Sequence, residues 1–319
     1  MSRRLRVVLV VAVAVAAAAG VVAGAALFGR DDEPEARKAQ AGAPPVLLDL
    51  GARNDPEART LRRAARLHAR GSRAAAQAIF ARQDELQARA AAAISAWPAG
   101  SLEQLEELGQ AYPRSGAVQF HLGLARFWKG DTTGAFEAWR AARTRDPDTA
   151  FAVKASDLLF RGFPAGLPTF VPSFRAPRSV QSLPAPRQLR ELERRARRPD
   201  AHAKLLYGLA LQRLERPVSA RRQYAAAARL APEDPEARVA DAIGRFDKQR
   251  PERSFSRLGP LTRRFPRAAT VRFHLGLLLL WLGNVEEARR QLERARALPS
   301  PLSGEAKRLL TRLEEVRAR

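Results

Sequence analysis

One stretch of this chain is written twice. Residues 101–124 read S-L-E-Q-L-E-E-L-G-Q-A-Y-P-R-S-G-A-V-Q-F-H-L-G-L, and residues 254–277 read S-F-S-R-L-G-P-L-T-R-R-F-P-R-A-A-T-V-R-F-H-L-G-L. The two align without a gap at an offset of 153 residues. The register continues, pairing Trp128 with Trp281, Gly130 with Gly283, Ala135 with Ala288 and Ala142 with Ala295. Repetition of this kind points to an array of like units, not to a compact enzyme core.

A shorter unit lies inside the long one. When Gly123, Gly208 and Gly276 are aligned, Ala135, Ala220 and Ala288 follow twelve residues later. Trp139, Tyr224 and Leu292 stand at sixteen, and Ala142, Ala227 and Ala295 at nineteen. Pro147 and Pro232 stand at twenty-four, where the third copy has Ser300 between Pro299 and Pro301. The glycines at 208 and 276 are separated by 68 residues, twice 34. Small residues let two helices approach closely, a bulky residue between the alanines fills the remaining space, and proline ends the second helix.

This spacing resembles the tetratricopeptide repeat family, whose unit is a 34-residue helix–turn–helix. The predicted fold class is an all-α solenoid in two modules, preceded by one N-terminal transmembrane helix. Three good copies occupy 116–149, 201–234 and 269–302. Residues 235–268 form a degenerate copy, with Gly244 two places late and Leu258 and Pro266 in phase. A weak copy runs from 57 to 90 with Gly71 at its turn, then Ala76 and Phe80, and residues 91–115 supply the helix before Pro113.

The expected organisation is a cytoplasmic N-terminus (1–6), a transmembrane helix (7–29), a disordered stalk (30–56) and an N-terminal module (57–149). A helix with a proline-rich strap and a basic helix (150–200), a C-terminal module (201–302) and a capping helix (303–319) follow. The uncharged run 7–29 would reach about 34 Å as a helix, against about 30 Å of hydrocarbon. A cleaved signal peptide is the alternative, since Ala16, Ala18, Ala23 and Ala25 offer small-x-small sites. Arg3, Arg4 and Arg6 precede the run and Asp31, Asp32 and Glu33 follow it, so the N-terminus is expected in the cytoplasm and the body outside. Val46, Leu47, Leu48 and Leu50 make a short apolar patch near the end of the stalk that is expected to dock on the first repeat.

Residues 150–161 are expected to be helical. Beyond them, prolines at 164, 168, 172, 177, 184 and 186 argue against a helix, and the interleaved Phe163, Phe170 and Phe174 argue against a freely solvated linker. Two readings stand side by side: an ordered strap over the solenoid surface, or an internal ligand lying in one module's groove. At the C-terminus, Ser303 is a candidate cap, with Ala306, Leu309, Leu310, Leu313 and Val316 on one face.

The chain has no cysteine, which excludes disulfides, thiolate metal sites and cysteine nucleophiles. No HExxH, Walker-type, GxSxG or GxGxxG motif occurs. No catalytic, cofactor or metal residue is assigned, and no enzyme is expected. The four histidines are His68, His121, His202 and His274. His121 and His274 share the F-H-L-G-L context through duplication and read as structural.

The formal net charge is +23, with arginine far more frequent than lysine. Such a surface favours anionic polymers or lipid headgroups non-specifically, and no specific nucleic-acid partner is expected. The basic helix at 187–198 concentrates Arg187, Arg190, Arg194, Arg195, Arg197 and Arg198 beside Glu191 and Glu193. It reads as a solvated face, with an anion-binding surface as the sharper alternative.

The family resemblance implies that the first helix of each pair lines a concave groove for a protein or peptide partner. By position, that face carries Phe120, Leu124, Phe127 and Trp128 in the first good copy, and Phe273, Leu277, Leu280 and Trp281 in the third. The middle copy offers His202, Leu205, Leu209, Gln212 and Arg213. Members that clamp a terminal carboxylate carry lysine, arginine and asparagine there, a pattern this chain lacks. Two readings remain for the apolar faces: burial against neighbouring helices or the strap, or an aromatic-anchored groove.

Overall fold

The computed structural model describes residues 42–317. The segments expected at 1–6 and 7–29, and the first part of the expected stalk, lie outside the described residues. Among the described residues, no helix is long and apolar enough to cross a membrane.

The described chain contains α-helices and no strand. It divides into two compact units. Among the described residues, one comprises 42–159 together with Leu214–Arg216, and the other comprises Phe160–Arg213 and 217–317.

In the N-terminal unit, α1 (Pro56–Ala69) pairs with α2 (Arg73–Phe80), α3 (Leu86–Ser95) with α4 (Ser101–Ala111), and α5 (Gly116–Lys129) with α6 (Thr132–Arg145). A single helix, α7 (Ala150–Leu159), closes the series. The weak copy expected at 57–90 is shorter than that. Its second helix ends at Phe80, and a separate pair, α3–α4, fills 86–111.

The C-terminal unit begins with the short helix α8 (Arg178–Gln181) and the basic helix α9 (Ala185–Ala196). The basic helix expected at 187–198 is present two residues earlier, whereas α8 and the first two residues of α9 fall within the stretch whose prolines argued against helix. Pro177 lies just outside α8, and Pro184 and Pro186 occupy the first turn of α9 or the position before it, where no amide is needed. Then α10 (Ala201–Arg213) pairs with α11 (Pro217–Leu230). Next come α12 (Pro235–Ile243) and a second helix broken at Gly259-Pro260 into α13 (Glu252–Leu258) and α14 (Leu261–Arg264). The last pair is α15 (Ala269–Trp281) with α16 (Val285–Arg296), closed by α17 (Leu302–Arg317). The opening helices start at 201, 235 and 269, a constant step of 34. This is a tetratricopeptide-like helical repeat.

The repeated sequence positions have direct steric causes. A Cβ on Gly123 would lie 2.4 Å from the Trp139 ring, one on Gly208 2.5 Å from Tyr224, and one on Gly276 2.8 Å from Leu292. Only glycine allows the bulky residue of the second helix to press on the first. Gly71, Gly130 and Gly283 turn the chain between paired helices with φ of 84°, 91° and 74°, a region costly for other residues.

Local capping fixes the ends. Asp131 Oδ1 accepts from the Gly134 amide at 2.8 Å to start α6, and Asp55 Oδ1 from Ala58 at 2.9 Å to start α1. At α17 the cap is Ser300, whose Oγ accepts from the Leu302 amide at 3.2 Å, and not Ser303. Ala306, Leu309, Leu310 and Leu313 of α17 are buried, and the Val316 side chain lies outside the described set.

Candidate peptide groove

Each unit carries an extended strap, and each strap precedes its unit's helices in sequence. Residues 43–50 and 167–172 have neither helix nor turn. The first strap corrects the expected 30–56 stalk. Its described part packs on the N-terminal unit, with Pro44 and Leu50 buried.

The N-terminal strap is held at three stations. The Pro44 carbonyl accepts from His68 Nε2 at 2.9 Å, and Ser95 Oγ sits 3.0 Å from His68 Nδ1. The Leu47 amide donates to His121 Nε2 at 3.2 Å. The Asp49 amide donates to Gln87 Oε1 at 3.0 Å, and the Asp49 carboxylate caps α7 by accepting from the Ala150 amide at 3.0 Å. The apolar patch therefore spans all three helix pairs, not only the first.

The C-terminal strap repeats the arrangement, with a histidine kept at one station and different side chains at the other two. Gln212 Nε2 donates to the Pro168 carbonyl at 2.8 Å, while Gln212 Oε1 accepts from the Phe170 amide at 3.2 Å and from the Tyr224 hydroxyl at 2.9 Å. The Val171 amide donates to His274 Nε2 at 2.9 Å, and the Ser173 amide to Glu236 Oε1 at 3.3 Å. Upstream, the buried Lys248 ammonium donates to the Pro164 carbonyl at 2.7 Å.

The stations occupy equivalent helical positions. His68 and Gln212 are penultimate in α1 and α10. Gln87 and Glu236 are second in α3 and α12, and His121 and His274 are sixth in α5 and α15. Donation from residues i and i+2 to one side is what an extended chain provides.

Donor and acceptor roles follow from these contacts. An amide can only donate, so Nε2 of His121 and of His274 accepts. Their Nδ1–H groups then donate to the Ala117 and Thr270 carbonyls, each at 2.7 Å. Both imidazoles are neutral. Complete burial, opposed in part by the Nδ1 bonds, brings each pKa down to about 4.

Glu236 moves the other way. Burial raises its pKa to about 7, the Ser173 contact opposes this, and the charge of Asp234 adds to it. Its Oε2 is buried without a hydrogen-bond partner.

The residues placed on the groove face by the family resemblance are packed. Phe120, Leu124, Phe127, Phe273, Leu277, Leu280 and Trp281 are buried, and Trp128 is half-buried with its indole N–H unpartnered. Leu47 of the strap joins the cluster of Phe120, Leu124 and Phe127, which also holds Phe151 of α7. In the other unit Phe170 is fully buried, stacked on His274 at 5.3 Å and edge-on to Tyr224 at 5.6 Å. Phe163 meets Phe246, which in turn meets Trp281. Of the middle copy, Gln212 is a strap station and Leu205 and Leu209 are core, while His202 is largely exposed and meets the ring of Phe174, just after the strap, at 4.5 Å with the planes tilted by 53°.

The arginines of 187–198, in α9 and just past its end, divide. Arg194 and Arg195 both bind Glu191, and Arg197 binds Glu193, as neighbours along one helix. Arg187, Arg190 and Arg198 are exposed. Among the described residues, no group of three or more acidic, histidine or cysteine side chains is placed to hold a metal ion.

No protein-family model matches the chain, and comparison with curated proteins finds no relative. Solved structures similar to it include a tetratricopeptide repeat protein from Parabacteroides merdae ATCC 43184, with 10% identity and a TM-score of 0.34, covering 81% of this chain and 98% of that one. The TPR2AB domain of yeast Sti1 in complex with pHSP90 has 11% identity and a TM-score of 0.30, covering 81% and 98%. Yeast Tom70 has 13% identity and a TM-score of 0.32, covering 93% and 69%. These values are low, and the fold is read from the chain's own helix pairs.

Proposed function

We propose that the chain is a non-enzymatic scaffold that holds protein or peptide partners. In this reading it is tethered to the cell membrane of a bacterium by residues 7–29, with its N-terminus in the cytoplasm and its repeats on the extracytoplasmic side. The carrying observation is that equivalent helical positions in the two units, one pair identical (His121 and His274) and two unlike, each grip an extended segment through its main chain. Stacked helix pairs leave such surfaces available along their length. The anchor rests on the length of the uncharged run and the arginines before it.

Crosslinking in the native cell followed by partner identification tests the scaffold. A partner whose yield falls on substitution of Phe273 or Trp128 is expected, and absence of any specific partner defeats the reading. Protease treatment of intact protoplasts tests the address. The repeats are expected to be digested, and protection of the C-terminal region reverses the topology. Signal cleavage, leaving an exported soluble form, is distinguished by the mass of the mature chain.

A second reading, binding of anionic envelope polymer or lipid headgroups, draws on the net charge and on exposed Arg187, Arg190 and Arg198. Charge-driven affinity collapses as salt rises, whereas affinity for an apolar groove persists.

A further inference from the structure

The two straps share a pattern that their sequences barely show. Residues 44–49 read Pro-Pro-Val-Leu-Leu-Asp, and residues 168–173 read Pro-Thr-Phe-Val-Pro-Ser. Both run as proline, any residue, apolar, apolar, any residue, then aspartate or serine. In both, the first residue is buried and its carbonyl is bonded, and the amides of the fourth and sixth residues are bonded.

We propose that each groove is a binding site for an extended peptide of this pattern, and that the chain's own strap is a displaceable occupant of it. This rests on the scaffold reading and names the ligand and its competitor. The hydrogen bonds from the stations reach main-chain atoms of the strap, so unlike side chains are accepted, while His274 also stacks on the Phe170 ring. Sequence is read in two other ways. The apolar third and fourth positions are packed, as Phe170 in the core and Leu47 in the Phe120 cluster show. Proline is excluded where an amide must donate, at the fourth and sixth positions, and tolerated at the second and fifth, where Pro45 and Pro172 stand.

A tethered strap competes at high effective concentration, so a free peptide enters only when the strap is weakened or the peptide is presented at many copies. The strap therefore sets the threshold for partner entry.

The test uses the full-length protein and a fluorescent heptapeptide corresponding to residues 168–174, read by anisotropy. Phe170→Ala loosens the resident strap. Binding to this variant is expected to be about ten-fold tighter, or more, than to the unaltered protein. The same peptide N-methylated at its valine keeps every side chain but cannot donate to His274. It is expected to bind the variant about ten-fold more weakly, or worse.

A helical Phe170→Ala protein that binds the parent peptide no better than the unaltered chain overturns the proposal. Equal binding of parent and N-methylated peptides also overturns it. If Phe170→Ala does not fold, a protease site inserted between Arg175 and Ala176, both outside any helix, frees one end of the strap, and the same two comparisons apply. The scaffold reading fails separately. A cellular partner captured equally by strap-weakened and unaltered protein leaves the scaffold standing and removes the displacement mechanism.

Discussion

Gly123 sits directly against the indole of Trp139, so close that a single added carbon on the glycine would fall 2.4 Å from two ring atoms. Trp139 has no freedom to retreat. It is fully buried, and its Nε1 donates to the Phe120 carbonyl at 3.3 Å. Gly123→Ala is expected to destabilise the chain by about 1–3 kcal/mol through overpacking. Gly304→Ala, where an added carbon meets nothing within 4 Å, is expected to be neutral or to stabilise by about 0.5–1 kcal/mol. Urea midpoints of the two variants compare them directly.

Gln87 and Glu236 perform one task with different chemistry, and the difference has a pH signature. Glu236 keeps its proton in the folded state up to about pH 7, against an ordinary value of 4.5. Its neutral form is fully compatible with folding below pH 4.5, and stability is lost as pH rises from 4.5 through 7. Glu236→Gln, which copies Gln87, removes that loss. The variant is expected to gain on the order of 2–3 kcal/mol over the unaltered protein at pH 8 and much less at pH 5.

The histidine stations give the opposite slope. His121 and His274 have folded values of about 4, below the ordinary 6.5. Their contribution is complete above pH 6.5 and is lost as pH falls through 4, because the unfolded chain takes up protons first. At pH 5 the loss is on the order of 2 kcal/mol for each. The double variant His121→Leu, His274→Leu is expected to show a flatter acid limb in pH-resolved urea titrations. It is also expected to be weaker at pH 7.5, since the Leu47 and Val171 amides lose their acceptor.

Gln212 satisfies three groups with one amide: the Pro168 carbonyl, the Phe170 amide and the Tyr224 hydroxyl. Gln212→Ala leaves these without that partner and is expected to cost about 2–4 kcal/mol. The strap should loosen first. Limited proteolysis at the exposed Arg175 is expected to accelerate before global unfolding is seen by circular dichroism.

The helix pairs were legible because their constraints recur in one register. Glycine must face a bulky side chain sixteen residues on, as Gly123, Gly208 and Gly276 do with Trp139, Tyr224 and Leu292, and a left-handed turn must follow, as at Gly130 and Gly283. The straps were not legible in that way. Their residues recur at a spacing of 124, while the stations recur at 144 for His68 and Gln212, 149 for Gln87 and Glu236, and 153 for His121 and His274. No single alignment superposes strap and seat. The histidines read as structural filler because their partners lie 74 and 103 residues away in the chain. The available clue was a proline, one intervening residue and then two apolar residues in both irregular segments.

Each strap is synthesised ahead of the helices that shelter it. Leu47 must wait for His121, 74 residues later, and Val171 for His274, 103 residues later. At about 5–20 residues per second, these intervals last roughly 4–20 seconds. Throughout that time Phe170 and its apolar neighbours are held in the open by a nascent chain whose seat does not yet exist. A chaperone or a neighbouring copy has its opportunity then, before the ribosome has delivered the last helix pair.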